Sequence, residues 1–272
     1  MAGTLTLSPA DAAVIETFVV PRYLGLFADL AQEMLLTGGP VRLAHIGCRT
    51  GYPDRELVEK LPGSVIVGID ANEPAIELAR NKAATVTEAT LEYRIATTFP
   101  TELNDAEFSH SLLLHPTATA HQRALLFSEL SRVLYSGGQA LVALPLRGSF
   151  IEVDDLFREF ALKSDQGDFG KRVEGAGEAR PSLESLEEEL EAAGLYDIDI
   201  EVRQTHLGFD SGRAFAEDPV TRLMLVPEFE ATLELDQLSA PLRYVYDAID
   251  KYWSEGKFEL TLNVGCASAR KP

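Results

Sequence analysis

The sequence predicts an α/β fold: a doubly wound, mostly parallel sheet of seven strands, with a helical insertion between the last two. Three observations carry that prediction. From residue 41 onward, short apolar segments alternate with helix-period segments, the pattern of a parallel sheet covered on both faces. A glycine-bearing loop separates the first strand from its helix, and the second strand ends in a carboxylate. Roughly fifty residues of helical patterning separate the last two strands, too many for a structureless connection.

The elements follow in order. Ser8-Pro9-Ala10-Asp11 supplies a capping hydroxyl and a proline at the first helical position, so a helix starts there. Leu24, Phe27, Leu30, Met34 and Leu35 recur at helical spacing and predict a second helix over 21–36, ended by Thr37-Gly38-Gly39-Pro40. Strands are predicted at 41–46, 64–69, 91–95, 108–114, 139–144, 197–205 and 258–269, with helices at 53–61, 74–84 and 122–134. The unbroken apolar run at 64–69 marks a strand buried on both faces. Ser136-Gly137-Gly138 reads as the turn before the fifth strand, and the polar, glycine-bearing stretch 164–180 as a mobile loop. Ser182 caps a helix closed by Gly194. Ser185 stands where a glutamate or glutamine would complete the capping box, so the box is not expected. Inside the insertion, helical patterning covers 219–226, 229–235 and 241–253. Three units result: N-terminal helices over 1–40, a sheet domain over 41–205 and 258–272, and an insertion over 206–257 that acts as a lid or an interface.

Composition narrows the partners. With 46% hydrophobic and 25% charged residues the chain is ordinary globular protein. Its 43 acidic against 24 basic residues give a net charge of -19. Such a surface repels phosphate backbones and anionic lipid, so a small molecule or a protein is the expected partner, not nucleic acid or a membrane. Two cysteines, Cys48 and Cys266, offer no disulfide framework or zinc cluster and fit a reducing compartment. The stretch 1–14 has neither a basic n-region nor an apolar h-region, and no apolar run approaches a membrane span. The expected location is cytoplasmic.

The informative stretch is Leu43-Ala44-His45-Ile46-Gly47-Cys48-Arg49-Thr50-Gly51, followed by Val65-Ile66-Val67-Gly68-Ile69-Asp70. Glycines let a backbone approach a ligand closely, and a carboxylate at the end of the second strand can accept both hydroxyls of a ribose. The competing reading is that the loop merely packs its helix onto the sheet.

These segments resemble the class I S-adenosylmethionine-dependent methyltransferases. Asp70-Ala71-Asn72-Glu73-Pro74-Ala75-Ile76-Glu77-Leu78-Ala79-Arg80 is similar to the second-strand segment of that family. Glu129-Leu130-Ser131-Arg132-Val133-Leu134-Tyr135-Ser136-Gly137-Gly138 is similar to the segment leading into its fifth strand. The Leu-x-x-Ala-Gly pattern before Asp197 resembles the helix before its sixth strand. The resemblance covers about residues 41–205 and the last strand. It implies a Rossmann-like sheet ending in an antiparallel pair, S-adenosylmethionine as cofactor, and a site at the carboxyl edge of the first strands. Gly47, Cys48, Thr50 and Gly51 would approach the methionyl part, Asp70 the ribose and Ala71 the adenine.

Three positions depart from the family pattern. His45 stands where an acid usually helps hold the cofactor ammonium, and Arg49 stands where glycine is usual. Ala96-Thr97-Thr98 replaces an acid after the third strand, leaving the Thr97 and Thr98 hydroxyls for the adenine. Each lost charge-assisted hydrogen bond removes about 1.5–3 kcal/mol, and two of them roughly two to four decades of affinity. Arg49 either fills the pocket, strained if its φ is positive, or pairs with the cofactor carboxylate. Phe108-Ser109-His110-Ser111 replaces the family's Phe-Asp-x-Val, and no Asn-Pro-Pro-aromatic motif of amino-nitrogen methyltransferases occurs.

His115, after the fourth strand, is the candidate general base; the plainer reading is a polar loop residue. His45 reads as a strand-end histidine with a backbone partner, Cys48 as a packed loop residue. His110, His121 and His206 are too scattered for a metal, and Glu184, Glu187, Glu188, Glu189 and Glu191 read as a solvated helix face. Tyr246, Ile249 and Trp253 recur at helical spacing and read as core. Two functions stay open: a methyltransferase acting on a small molecule or protein side chain, and a catalytically degenerate relative serving as a scaffold, sensor or regulatory module with a protein partner.

Overall fold

The computed structural model describes residues 6–235 and 238–272; residues 1–5 of the N-terminal stretch and 236–237 of the insertion lie outside them. Seven strands form one sheet in the order β3-β2-β1-β4-β5-β7-β6. They are β1 (Arg42–Ile46), β2 (Val65–Asp70), β3 (Thr90–Ile95), β4 (Phe108–Leu114), β5 (Leu134–Pro145), β6 (Tyr196–Phe209) and β7 (Phe258–Arg270). The first five run parallel; β7 inserts antiparallel between β5 and β6. The predicted class, strand count and antiparallel end are all present. Every residue of β4 is buried, as its position at the centre of the sheet requires. The predicted turn at 136–138 instead lies within β5, where the register against β4 shifts between Phe108 and His110.

The helices of the sheet are α3 (Asp54–Lys60), α4 (Glu73–Ala83), α5 (Ala120–Val133) and α8 (Leu183–Ala192). α5 starts on a capping box of Thr119 and Gln122. α8 has a capping box as well: the Ser185 hydroxyl accepts from the Ser182 amide at 2.8 Å, so a serine does what was expected only of a carboxylate or amide.

Two predicted segments differ. The N-terminal pair of helices is one unbroken helical run, α1 (Pro9–Val14), a π-helical stretch Ile15–Leu24 and α2 (Gly25–Glu33). Pro21 lies in the π-helical stretch; it has no N–H to donate, and wider turns give its ring room. The stretch read as a mobile loop is α7 (Gly167–Ala179), packed on α6 (Ile151–Lys163). Phe169, Val173 and Ala176 bury one face, and Phe169 meets Phe157 and Phe160 edge-on, each at 5.7 Å. That burial overrides four helix-weakening glycines.

The insertion carries α9 (Gly212–Glu217), a π-helical turn Thr221–Leu225, α10 (Val226–Leu233) and α11 (Ser239–Tyr252). Ile249 is buried, Tyr246 packs on Phe215 and Trp253 on Phe258, in line with a core role. Among the described residues no helix is long and apolar enough to cross a membrane.

Candidate functional site

The strand order reverses between β1 and β4, because β1 connects outward to β2 while β4 continues toward β5 on the other side. In open α/β sheets this reversal opens a crevice at the carboxyl ends of the strands, where ligands bind. The loop after β1 enters it. Its first amides, Gly47 and Cys48, donate to the Ile69 carbonyl at 2.8 and 3.0 Å, which folds the loop against the end of β2. Gly51 and Gly68 are needed for close approach: a Cβ at either would lie under 3 Å from the Tyr93 side chain.

Asp70 ends β2, half-buried. Its Oδ1 accepts from the Asn72 amide at 2.8 Å and from Asn72 Nδ2 at 3.3 Å; its Oδ2 accepts from the Arg49 amide at 3.0 Å. Ala71 follows, half-buried, while Thr97 and Thr98 lie exposed beyond β3, which is tied to β2 through the Ala96 amide and the Asp70 carbonyl. Thr50 is buried behind the loop, and Lys82 bridges the Thr50 carbonyl and Glu16 of the N-terminal run.

Arg49 crosses the crevice. Its Nη1 donates to the Leu114 carbonyl at 2.9 Å and its Nη2 to the His115 carbonyl at 2.5 Å, so one guanidinium takes both carbonyls at the end of β4. Arg49 and His115 have φ of 47° and 45°, the left-handed region, which costs about 1–2 kcal/mol each for residues other than glycine. Two residues held so, joined through one guanidinium, form an over-determined bridge. The sequence had left two roles for Arg49; in this conformation its side chain lies across the crevice.

His115 is fully buried, which corrects the expectation of a base facing the substrate side. Its Nε2 lies 2.6 Å from the Tyr23 hydroxyl, and its ring packs edge-on against Tyr23 and Phe27 at 5.0 and 4.9 Å. Burial, with the Arg49 guanidinium adding to it, lowers its pKa to about 3, so the imidazole is neutral at physiological pH. His45 is buried too, and its partner is a side chain, not the backbone: Nδ1 pairs with Asp54 Oδ1 at 2.7 Å, and Tyr93 donates to Asp54 Oδ2 at 2.9 Å. Asp54 comes from the first turn of α3, so the carboxylate nearest the end of β1 is buried and taken by His45 and Tyr93. Cys48 is buried and its thiol pushed well up, first by burial and then by Asp70 and Asp54, which fits the packing role.

A cavity of about 430 Å³ opens beyond the ends of β4 and β5, against α5, α7 and α10. Apolar groups such as Pro116, Leu144 and Ala176 line it beside Arg123, Arg172 and Arg180. Arg180 is buried and tied to Asp154 at 2.9 Å and to Glu228 Oε1 at 3.3 Å; burial raises both carboxyls. Glu228 Oε2 lies 3.5 Å from His115 Nε2, linking the cavity wall to the sealed histidine. Glu189 leaves the otherwise exposed acidic face of α8 to hold Arg123 at 2.7 Å. No group of metal-ligating side chains occurs among the described residues.

A family described as a methyltransferase domain matches residues 44–142, the span from β1 into β5. Over that span the chain is similar to methyltransferase domains, and the likeness to solved structures extends to the fold of nearly the whole chain. Several solved structures share its fold. The Haemonchus contortus phosphoethanolamine N-methyltransferase 2 bound to S-adenosyl-L-methionine is 17% identical, with a TM-score of 0.52 over 91% of this chain. The same enzyme bound to phosphomonomethylethanolamine and S-adenosylhomocysteine is 15% identical, with a TM-score of 0.59 over 99%. This chain spans 52% and 59% of those two chains. The [4+2]-cyclase SpnF is 19% identical, with a TM-score of 0.54 over 92% of this chain and 80% of its own. No curated protein sequence matches. A cyclase among the methyltransferases shows that the fold alone does not fix the chemistry.

The sequence did not single out Tyr23, Asp54, Arg180 or Glu228. Only Asp54 carried a local signal, an acid at the start of the helix after the glycine loop.

Proposed function

We propose that this chain binds S-adenosylmethionine by its adenosine half at the ends of β1 and β2 and methylates a small molecule held in the 430 Å³ cavity. The observation that carries this reading is Asp70. It accepts three hydrogen bonds against about four lone-pair positions, so a ribose hydroxyl still finds an acceptor. Ala71 and the exposed Thr97 and Thr98 flank the place an adenine would take. The methionyl half fits less well, because Arg49 already holds the two carbonyls at the end of β4. When bound, the cofactor supplies an electrophilic methyl group. This chain's part is to orient the acceptor and exclude water, which the α7 and α10 residues lining the cavity support. The cavity lies within the usual range for small-molecule sites, and the phosphoethanolamine enzyme is a neighbour whose named substrate is of that size.

The test is transfer of labelled methyl from S-adenosylmethionine into a small-molecule library. Label should appear in a low-mass product, and Ala118→Trp, which fills part of the cavity, should cut it at least about tenfold without loss of folding. Label appearing only in protein would overturn the substrate class. A second reading, a binding module without turnover, is favoured by one observation: His115, the candidate base, is sealed from the cavity. Under that reading no label transfers, although adenosyl ligands still bind.

A further inference from the structure

Resting on the adenosyl-site reading, we propose that Arg49 is a built-in occupant of the cation subsite of the crevice and sets which adenosyl ligands it accepts. The Leu114 and His115 carbonyls converge on one point at the end of β4, and a convergent carbonyl pair is a seat for a cationic donor. Here the chain seats its own guanidinium there. The bridge is well held: the Arg49 amide is tied to Asp70, the His115 amide donates to the Ala143 carbonyl at 2.7 Å, and the His115 ring is locked under Tyr23 and Phe27.

The consequence is selective. A ligand consisting of a nucleoside with a short uncharged tail meets Asp70, Ala71 and the threonines without disturbing the bridge. A ligand carrying an amino-acid tail must move the guanidinium before its ammonium can reach the carbonyls, and it meets like charge on the way. A sulfonium adds a second positive charge, so the penalty is larger for S-adenosylmethionine than for S-adenosylhomocysteine. Arg49→Gly removes the occupant and suits the positive φ, so the loop conformation itself is favoured by the change.

The experiment is calorimetric titration of wild type, Arg49→Gly and Arg49→Ala with three ligands: 5′-methylthioadenosine, S-adenosylhomocysteine and S-adenosylmethionine. Thermal melts of each variant confirm folding. Wild type should bind 5′-methylthioadenosine at least as tightly as S-adenosylhomocysteine. Both variants should tighten S-adenosylhomocysteine by about tenfold or more, the factor one charge-assisted hydrogen bond carries, and S-adenosylmethionine by more still. Their affinity for 5′-methylthioadenosine should stay within about twofold, because that ligand never reaches the carbonyls. If 5′-methylthioadenosine binds and the variants weaken the amino-acid-tailed ligands, Arg49 is a ligand contact; if they leave them unchanged, it does not occupy their subsite; either way the proposal fails alone. If no variant binds any of the three, the adenosyl-site reading fails and the proposal fails with it.

Discussion

At the end of β2 the Asp70 carboxylate stays half-exposed with a lone pair to offer, whereas at the end of β4 the polar groups beside the crevice are taken by the chain itself. The Leu114 and His115 carbonyls go to Arg49, and the His115 ring goes to Tyr23. The two regions belong to one crevice, yet a ligand gains at β2 without displacing anything and must displace a guanidinium at β4. The difference teaches that a site can keep the geometry of its fold on one side while the other side becomes part of the protein interior.

The sharpest way to break the comparison is to unseal the β4 side. Arg180 is the buried cation between Asp154 and Glu228, so Arg180→Ala leaves two buried carboxyls without their partner. The expected loss is about 3–5 kcal/mol, read by urea denaturation at pH 7. A loss below about 1 kcal/mol would mean water already reaches those carboxyls, and that the interior character ascribed to this side is wrong.

Acid titration probes the same side with a comparable expected effect. His115 titrates near its ordinary 6.5 when unfolded and at about 3 when folded, so between those values the unfolded chain holds more protons. Stability from this group is therefore full above about pH 6.5, declines as the pH falls toward 3, and falls no further below it. The decline amounts to about 5 kcal/mol. Tyr23, Glu228 and Arg49 face the ring; Glu228 and nearby Asp154, raised by burial, bend the profile the other way. The His115 contribution is accordingly read as the difference between wild type and His115→Asn from pH 3 to 7. Identical slopes would place the ring in contact with solvent.

How much of this was legible in the sequence differs between the two sides for a physical reason. The β2 side depends on local order: an apolar run, a glycine loop and a carboxylate at the next strand end, all readable in a line. The β4 side depends on encounters between distant segments. Tyr23 and His115 are 92 residues apart, and Glu228 comes from an insertion whose pattern announces helices but not what they face. Arg49 was visible as a departure, and its two candidate roles were visible too; the reach of its side chain to the Leu114 and His115 carbonyls was not. The helix at α7 was hidden because Gly167, Gly170, Gly175 and Gly177 weaken local preference, while the burial of Phe169 and Val173 that outweighs them is tertiary. His45 was read as a strand-end histidine with a backbone partner, but its partner is Asp54, which lies across the loop and not along the strand.

A smaller effect sharpens the β2 side. Asp54→Ala leaves His45 Nδ1 and the Tyr93 hydroxyl buried without their shared acceptor, with an expected loss of about 2–3 kcal/mol by urea denaturation. It should also weaken adenosyl ligands only indirectly, through the loop, by less than the loss of Asp70 does. Equal losses of affinity would mean the loop and the strand end act as one unit.

The central claim is that Asp70 remains a ligand carboxylate. Calorimetric titration of wild type and Asp70→Ala with S-adenosylhomocysteine tests it most directly. The account predicts measurable binding by wild type, at least about tenfold weaker in Asp70→Ala with the melting temperature of the variant within a few degrees of wild type. Binding of equal strength by both proteins, or none by wild type at millimolar ligand, would contradict it.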